Sequence, residues 1–314
     1  MAVTEREQAA ADLDWTPRPG VLRVGDIRVD DALLFIDRGV ETMPSYLDLF
    51  RRWETQQWSV SDLDFSLDRT DWVKLREFDR QSVLWMRRMF FSGEERVTST
   101  LAPFLWAAPT PEIEMFLSTQ ILDESRHTLF FDRWFREVVG TGAQDMTESL
   151  AKTRPHVNEC YAALFDVRLP EAAQRLARNP TDVNAFIQGI TLYHIVLEAA
   201  LGLTGMRFEL MTMRRHRMTN RGYHQGFTAV ARDESRHVSF GVKVLRDAVR
   251  EDPRRFAPLI QQTVVECLPL ISGALSPPDP RYLTQYGHSD DEVNKFAIGS
   301  LNRRLRAIGI RMVA

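Results

Sequence analysis

Glu124-Ser125-Arg126-His127 and Glu234-Ser235-Arg236-His237 are the residues of this chain best suited to chemistry, and they are two copies of one pattern. Each lies in a pentapeptide Asp-Glu-Ser-Arg-His that begins at Asp123 or at Asp233. Three residues make just under one turn of an α-helix, so the carboxylate and the imidazole project from one face and can reach a single metal ion. Carboxylate with imidazole suits iron or manganese. Two such pairs facing each other across a helix bundle can hold two ions side by side, with one further glutamate drawn from each of two other helices. The sequence is therefore expected to carry a lone inward glutamate upstream of each motif.

Both are present. From Asp68 to about Leu105 an apolar stripe runs through Val83, Phe90, Val97, Leu101 and Phe104 in helical steps, and Glu94 falls on it. Glu95 belongs to the more polar row Arg88, Phe91, Thr98 and Ala102, which makes Glu94 the inward carboxylate. Pro109 and Pro111 break the chain, and the next helix carries Ile113, Phe116, Leu117, Gln120, Glu124, His127, Phe131, Trp134 and Val138 on one face. Gly140 and Gly142 stop it. A stretch from about Thr147 to Asp166 reads as a third helix without evident chemistry. Asn179-Pro180-Thr181-Asp182 then starts a helix to about Met218 with Ile187, Ile190, His194, Glu198, Leu201, Gly205 and Phe208 on its face. The following helix, about Gly222 to Arg250, turns Phe227, Val230, Glu234, His237, Gly241 and Val244 inward. Glu94 precedes Glu124 by 30 residues and Glu198 precedes Glu234 by 36, so two helix pairs make matching contributions.

These elements set the domain plan. Residues 1–70 hold prolines, glycines and tryptophans without sustained periodicity and read as an extended wrapping segment with one short helix near Tyr46 to Thr55. Residues 71–314 read as a single helical domain. Its C-terminal part is a helix from Pro253 to about Ser272, a turn rich in proline at Pro277, Pro278 and Pro280, and a last helix from about Asp290 to Ala307, packed as accessories outside the metal-binding bundle.

Composition narrows the function classes. A net charge of -3 and a pI near 6.2 offer nucleic acid no electrostatic footing. The two cysteines, Cys160 and Cys267, are too few for a disulfide framework and fit a reducing cytoplasm. The first fifteen residues lack the basic start and apolar run of a signal peptide, and no stretch has the uninterrupted apolar length of a membrane span.

Gly93-Glu94-Glu95-Arg96-Val97-Thr98, the two Asp-Glu-Ser-Arg-His motifs, Tyr193-His194-Ile195-Val196-Leu197-Glu198 and Leu203-Thr204-Gly205 resemble the R2-like ligand-binding oxidases, relatives of the ribonucleotide reductase small subunit. The resemblance begins near Trp58 to Leu75, with Asp62-Leu63-Asp64-Phe65 and Asp71-Trp72, and extends to about residue 245. It implies an all-α fold, a ferritin-like four-helix metal-binding bundle with additional flanking helices. It assigns Glu94, Glu124 and His127 to one metal and Glu198, Glu234 and His237 to the other, with some carboxylates bridging. It also implies manganese and iron, or two irons, with O2 as co-substrate. A long-chain fatty acid or other apolar ligand beside the metals, a homodimer and an ether link between Val97 and Tyr193 complete the expectation. Tyr193 stands five residues before Glu198, off its face on a regular helix, and a π-bulge is the expected remedy.

Around the ligands, Asp123 and Asp233 stand four residues before His127 and His237 on the same side of each helix, placed to accept an imidazole N–H. The resemblance adds Trp58 as the indole that Asp233 links to a ligand histidine. Arg126 and Arg236 are expected to pair with carboxylates, and His194 to be a hydrogen-bonded core residue. His156, His216, His224 and His288 read as surface or structural residues. The leading function is an oxygen-activating dinuclear oxidase that removes two electrons from a C–H bond. The rivals are a reductase small subunit of a tyrosine-free, metal-radical type, another di-iron oxygenase such as an acyl desaturase or N-oxygenase, and a metal-storage bundle. Phe131 occupies the place where the resemblance to reductase subunits calls for a radical tyrosine, and Arg303 to Ala314 carries no tyrosine.

Overall fold

The computed structural model describes residues 24–218 and 221–311, and every regular element among them is helical. In chain order the main helices are α1 (Val29–Arg38), α2 (Tyr46–Thr55), α3 (Glu77–Thr100), α4 (Pro111–Trp134), α5 (Val183–Arg215), α6 (Gly222–Glu251), α7 (Pro253–Leu275) and α8 (Asp290–Ile308). Helix α3 packs on α4, α4 on α6 and α6 on α5, which forms the four-helix core that the paired motifs require. Short polar side chains fix where the helices begin. Thr110, Asp182, Asp252 and Ser289 each accept a backbone N–H from the first turn of α4, α5, α7 and α8, with proline at the opening of α4 and α7.

Helix α5 is the innermost element. By length and composition it could cross a membrane, yet 89% of its most apolar window is buried inside the fold, where α1, α6, α7 and α8 pack around it. A helix that is apolar on all sides suits such a central position. Between Thr191 and Gly202 it changes to a π-helical register. Ser300 of α8 donates to the Ala199 carbonyl in that stretch at 2.7 Å, so the accessory helices buttress the irregular part of α5 directly.

Two expectations need correction. The described part of residues 1–70 is richer in helix than its sequence suggests, since α1 and a turn at Ser66–Trp72 join α2. Helix α1 buries only Ala32, Leu33 and Ile36, too few positions to display a stripe, and its order comes from packing on α5, α6 and α8. Arg304 of α8 donates to the Ile36 carbonyl at 3.2 Å and holds its end. Residues 1–23 of the expected wrapping segment lie outside the described residues. The stretch Thr147 to Asp166 is likewise broken. Helix Met146–Thr153 passes into a tight turn at Arg154–His156, where Pro155 has no N–H to continue it. Asn158 then caps a new start at Glu159–Ala162, and a π turn at Ala163–Arg168 leads into Leu169–Arg178.

One buried histidine outside the bundle centre sets a pH dependence. His224, in the first turn of α6, is 4% exposed, its Nε2 has no hydrogen-bond partner, and burial pushes it down to about 4. The native state thus holds the neutral ring while the unfolded chain takes up a proton near its ordinary value. The stabilisation is complete above about pH 6.5 and is lost as the pH falls towards 4. Denaturant unfolding of wild type and His224→Leu should show wild type losing on the order of 3 kcal/mol more between those limits. Identical pH profiles would contradict the buried neutral imidazole.

Candidate metal centre

Helix α3 supplies Glu94, α4 supplies Glu124 and His127, α5 supplies Glu198, and α6 supplies Glu234 and His237 to one cluster, in which no member is more than 7% exposed. Glu95 turns the other way and pairs with Arg154. The cluster divides into two groups of donor atoms. Glu94, Glu124, His127 and Glu234 place ligand atoms within 4.8 Å of one another, and so do Glu124, Glu198, Glu234 and His237. Glu124 and Glu234 belong to both groups, which is the arrangement of bridging carboxylates.

The finer distances suit metal ions. His127 Nδ1 lies 3.3 Å from Glu94 Oε2, 3.4 Å from Glu124 Oε2 and 3.3 Å from Glu234 Oε1. His237 Nδ1 lies 3.2 Å from Glu124 Oε1, 3.4 Å from Glu234 Oε1 and 3.6 Å from Glu198 Oε1. Octahedral bonds of about 2.1 Å set neighbouring ligand atoms roughly 3 Å apart, close to these separations. Glu198 Oε2, Glu234 Oε1 and His237 Nδ1 are buried without hydrogen-bond partners, a costly condition that a cation would relieve.

The electrostatics point the same way. Burial, with the neighbouring Glu234 charge, pushes Glu198 up to about 8, and burial raises Glu94 well above the carboxylate range. Burial opposes charge on the imidazoles too, yet Glu94 holds His127, and Glu234 holds His237, well above the ordinary histidine value. Glu124 is pulled well below its usual value despite its burial, first by the His237 charge and then by the close approach of both imidazoles. The four glutamates carry as much negative charge as two divalent cations neutralise.

Outside this ring the two motifs are cross-linked. His237 Nε2 donates to Asp123 Oδ2 at 3.1 Å, and His127 Nε2 contacts Asp233 Oδ2 at 3.4 Å. Each aspartate therefore serves the histidine of the other motif, where same-helix spacing suggested its own. The physical reason is direction. Each ring crosses the bundle centre with Nδ1 towards the glutamates, so its far nitrogen arrives at the facing helix. Arg236, 4% exposed, spans both aspartates at 2.5 Å to Asp123 and 3.3 Å to Asp233. Arg126 donates to Asp123 at 2.8 Å and lies 3.6 Å from Asp233. With Arg232 and His127 nearby, the Arg236 charge overcomes burial and keeps Asp233 well below the ordinary carboxylate value.

Residues 53–58 close this layer. Trp58 Nε1 donates to Asp233 at 2.7 Å and Trp53 Nε1 to Asp123 at 3.1 Å. Gln56 accepts from Arg236 at 2.8 Å and Gln57 from Arg126 at 3.1 Å. Sequence reasoning found Trp58 and missed the rest. The available signal was Trp-Glu-Thr-Gln-Gln-Trp, a pair of indoles around a pair of amides to match paired Asp and Arg residues.

The π register of α5 decides the opposite side. Its i→i+5 repeat carries Tyr193 onto the face of Glu198, and Tyr193 Oη donates to Glu124 Oε1 at 2.7 Å. Burial and the Glu124 charge keep that phenol protonated. Gln120, one turn before Glu124, donates to Glu198 Oε1 at 2.7 Å and to Tyr193 Oη at 3.1 Å, and accepts from His194 Nε2 at 3.1 Å. Its place on the apolar face was legible, but its task was not. His194 is a hydrogen-bonded core residue whose burial pushes it down to about 3. A cavity of about 70 Å³ adjoins the cluster, lined by Val97, Tyr193, Glu94, Glu198, Tyr161 and Phe165 among others. Tyr161 and Phe165 come from the stretch in which no chemistry was expected. Phe131 is buried and stacks on Phe90 at 5.9 Å.

The chain is similar to known proteins in sequence and fold. The family model for the ribonucleotide reductase small chain matches residues 42–273. Among solved structures, a tyrosine-to-phenylalanine variant of an R2-like ligand-binding oxidase with an anaerobically reconstituted Mn/Fe cofactor is 27% identical, with a TM-score of 0.72 over 85% of this chain and 94% of that one. A valine-to-isoleucine variant of an R2-like ligand-binding oxidase with an aerobically reconstituted Mn/Fe cofactor is 25% identical, with a TM-score of 0.73 over 85% of this chain and 95% of that one. A glutamate-to-aspartate variant, also with an aerobically reconstituted Mn/Fe cofactor, is 26% identical with a TM-score of 0.73, covering 85% and 94%.

Three substitutions test the geometry. A Cβ at position 241 would overlap His194 Cβ, so Gly241→Ala should displace the π stretch and cost about 1–3 kcal/mol in denaturant unfolding. Gly299→Ala, which meets only the tip of Arg303 at 3.4 Å, should be neutral or stabilising. Equal effects would contradict the close packing. Asp123→Asn should cost about 3 kcal/mol by leaving Arg236 undercompensated, and should shift the ring N–H signal of His237 in NMR spectra more than that of His127. The reverse order would contradict the crossed pairing.

Proposed function

The chain belongs to the ribonucleotide reductase small-chain family, and from that premise we propose that it is a dinuclear-metal oxidase of the R2-like ligand-binding type, using dioxygen for a two-electron oxidation of a C–H bond. The observation that carries this reading is the pair of donor groups sharing Glu124 and Glu234, set beside a cavity that holds both Tyr193 and Val97. Glu94, Glu124 and His127 would hold one ion, and Glu198, Glu234 and His237 the other. The similar solved oxidases carry Mn/Fe, and this mixed carboxylate and imidazole set accepts either manganese or iron. When bound, two such ions would supply reducing electrons for dioxygen activation.

The protein's own residues do the remaining work. Asp123 and Asp233 take the imidazole N–H groups, which fixes the tautomer and directs each Nδ1 lone pair inward. Arg126, Arg236, Trp53 and Trp58 fix the aspartates in turn. On the cavity side Gln120 holds Glu198 and Tyr193 in one geometry, and the Phe116–Phe240 stack, with ring centroids 4.1 Å apart, packs edge-on against His237. Tyr193 keeps its proton until it reacts. Loss of the Tyr193 O–H and one Val97 C–H, with formation of an O–C ether bond, delivers two electrons and two protons to dioxygen. The cavity takes an apolar small molecule such as a long-chain fatty acid, whose C–H bonds are then held against the same centre. Two free cysteines suit a reducing cytoplasm. A reductase small subunit of the tyrosine-radical kind is disfavoured by Phe131 in its aromatic stack.

Aerobic reconstitution with manganese and iron tests this directly. Wild type should take up about one of each ion per chain, and its intact mass should fall by that of two hydrogens. Tyr193→Phe should bind the metals without the mass loss. An equal loss in the variant would contradict the ether link, and the absence of stoichiometric metal would contradict the oxidase.

A further inference from the structure

Two indoles reach the polar layer from outside the bundle, and they are not equivalent. Trp58 is 4% exposed and has the Arg126 guanidinium over its ring at 5.4 Å. A cation against the face of a ring makes an electron harder to remove from it. Trp58 Nε1 meets Asp233 Oδ2 at 2.7 Å, but that same oxygen lies 3.4 Å from His127 Nε2, so the step inward is the weaker one. Trp53, in the last turn of α2, is half-buried, and among the described residues no arginine or lysine stands over its ring. Its Nε1 donates to Asp123 Oδ1 at 3.1 Å, while His237 Nε2 donates to Asp123 Oδ2 at 3.1 Å. The carboxylate thus gives one oxygen to the indole and the other to the imidazole, and Arg126 and Arg236 hold it in that position. The result is an unbroken run of bonds and hydrogen bonds from a half-buried ring to the histidine whose Nδ1 faces Glu124, Glu198 and Glu234.

The electron count of the oxidation calls for such a route. Dioxygen takes up four electrons on its way to water, and a two-electron oxidation of a C–H bond supplies only half of them. The other half must come from the ions, so a second turnover needs an outside reductant. We propose that Trp53 is the residue through which single electrons enter the centre, by way of Asp123 and His237, and that Trp58, the indole singled out by the resemblance, is the poorer route. This rests on the oxidase reading given above. In each transfer a soluble one-electron reductant loses one electron and the ion beside His237 gains it, and two transfers restore the reduced pair. Electronic coupling falls steeply across gaps between atoms, which favours the run with both contacts at 3.1 Å over the one with a 3.4 Å step. Access favours it too, because a reductant can approach a half-buried ring and cannot approach a sealed one.

The experiment starts from protein loaded with manganese and iron and oxidised by air, with metal content and thermal unfolding measured for each variant. It is mixed without oxygen with the methyl viologen radical cation, whose colour disappears as each electron is given up. Trp53→Phe should slow several-fold both this loss of colour and the bleaching of the oxidised centre, at unchanged metal content. Trp58→Phe should slow them less, and Trp106→Phe, at a side chain 71% exposed, should leave them unchanged. A second measurement needs no variant and remains decisive if Trp53→Phe does not fold. Metal-free wild type and wild type carrying reduced ions are exposed, again without oxygen, to photogenerated ruthenium(III) tris-bipyridine, a one-electron oxidant, and oxidised tryptophan is located by peptide mass. A reduced ion beside His237 returns the electron that Trp53 loses, so damage at Trp53 should fall in the loaded protein while Trp106 reacts alike in both. A Trp53→Phe rate equal to wild type or no slower than that of Trp58→Phe, or equal damage at Trp53 in the two forms, would overturn the entry route and leave the metal centre untouched. Wild type that takes up no stoichiometric metal would defeat the oxidase reading itself, and this inference with it.

Discussion

Four glutamates share a volume that water barely enters, and the rest of the structure answers that fact. Left uncompensated, so much buried negative charge would unfold the bundle or force the carboxylates to protonate. The second response is visible in the direction of each group, since burial pushes Glu94 and Glu198 up and the neighbouring glutamates raise His127 and His237. Two divalent ions satisfy the same demand without protons, and Glu124 and Glu234 stand where both ions can use them. The centre is therefore a place of stored electrostatic need in a fold stable enough to hold it.

That stability comes from the layers on either side. On one, Asp123 and Asp233 bond the histidines of the opposite motifs, and Arg236 reaches across to both, so the halves of an apparent sequence repeat are tied into one unit. The segment with Trp53, Gln56, Gln57 and Trp58 completes this layer from outside the bundle. On the other, α5 abandons the α register, and Gln120 gathers Glu198, Tyr193 and His194 into one network. Ser300 and Gly241 make that irregular stretch tenable. The polar layer is dense with ion pairs, while the cavity layer is mostly apolar. Such an asymmetry suits a centre that must hold its ions on one side and admit a ligand on the other.

Most of this arrangement could be read from the chain because helical periodicity is a long signal. Glu94 separated itself from Glu95 by its place on an apolar stripe, and the ends of α4, α6 and α8 follow their proline, glycine and capping residues. The π stretch could be inferred only from a conflict, since Tyr193 and His194 could not both occupy the face of Glu198 in a regular helix. What escaped was information that lives between segments. The crossed pairing of Asp123 with His237 depends on how far an imidazole reaches across the bundle, which no spacing within one helix encodes. Trp53 and Tyr161 matter through contacts with helices distant in sequence, and α1 is too short to announce itself without the surface it packs on.

The most direct test of the central claim is anomalous diffraction from crystals of the metal-loaded protein, recorded on both sides of the manganese and iron absorption edges. Two separate peaks are expected, one beside His127 Nδ1 and one beside His237 Nδ1, with Glu124 and Glu234 reaching both. A single peak, or two that fail to share those glutamates, would contradict it.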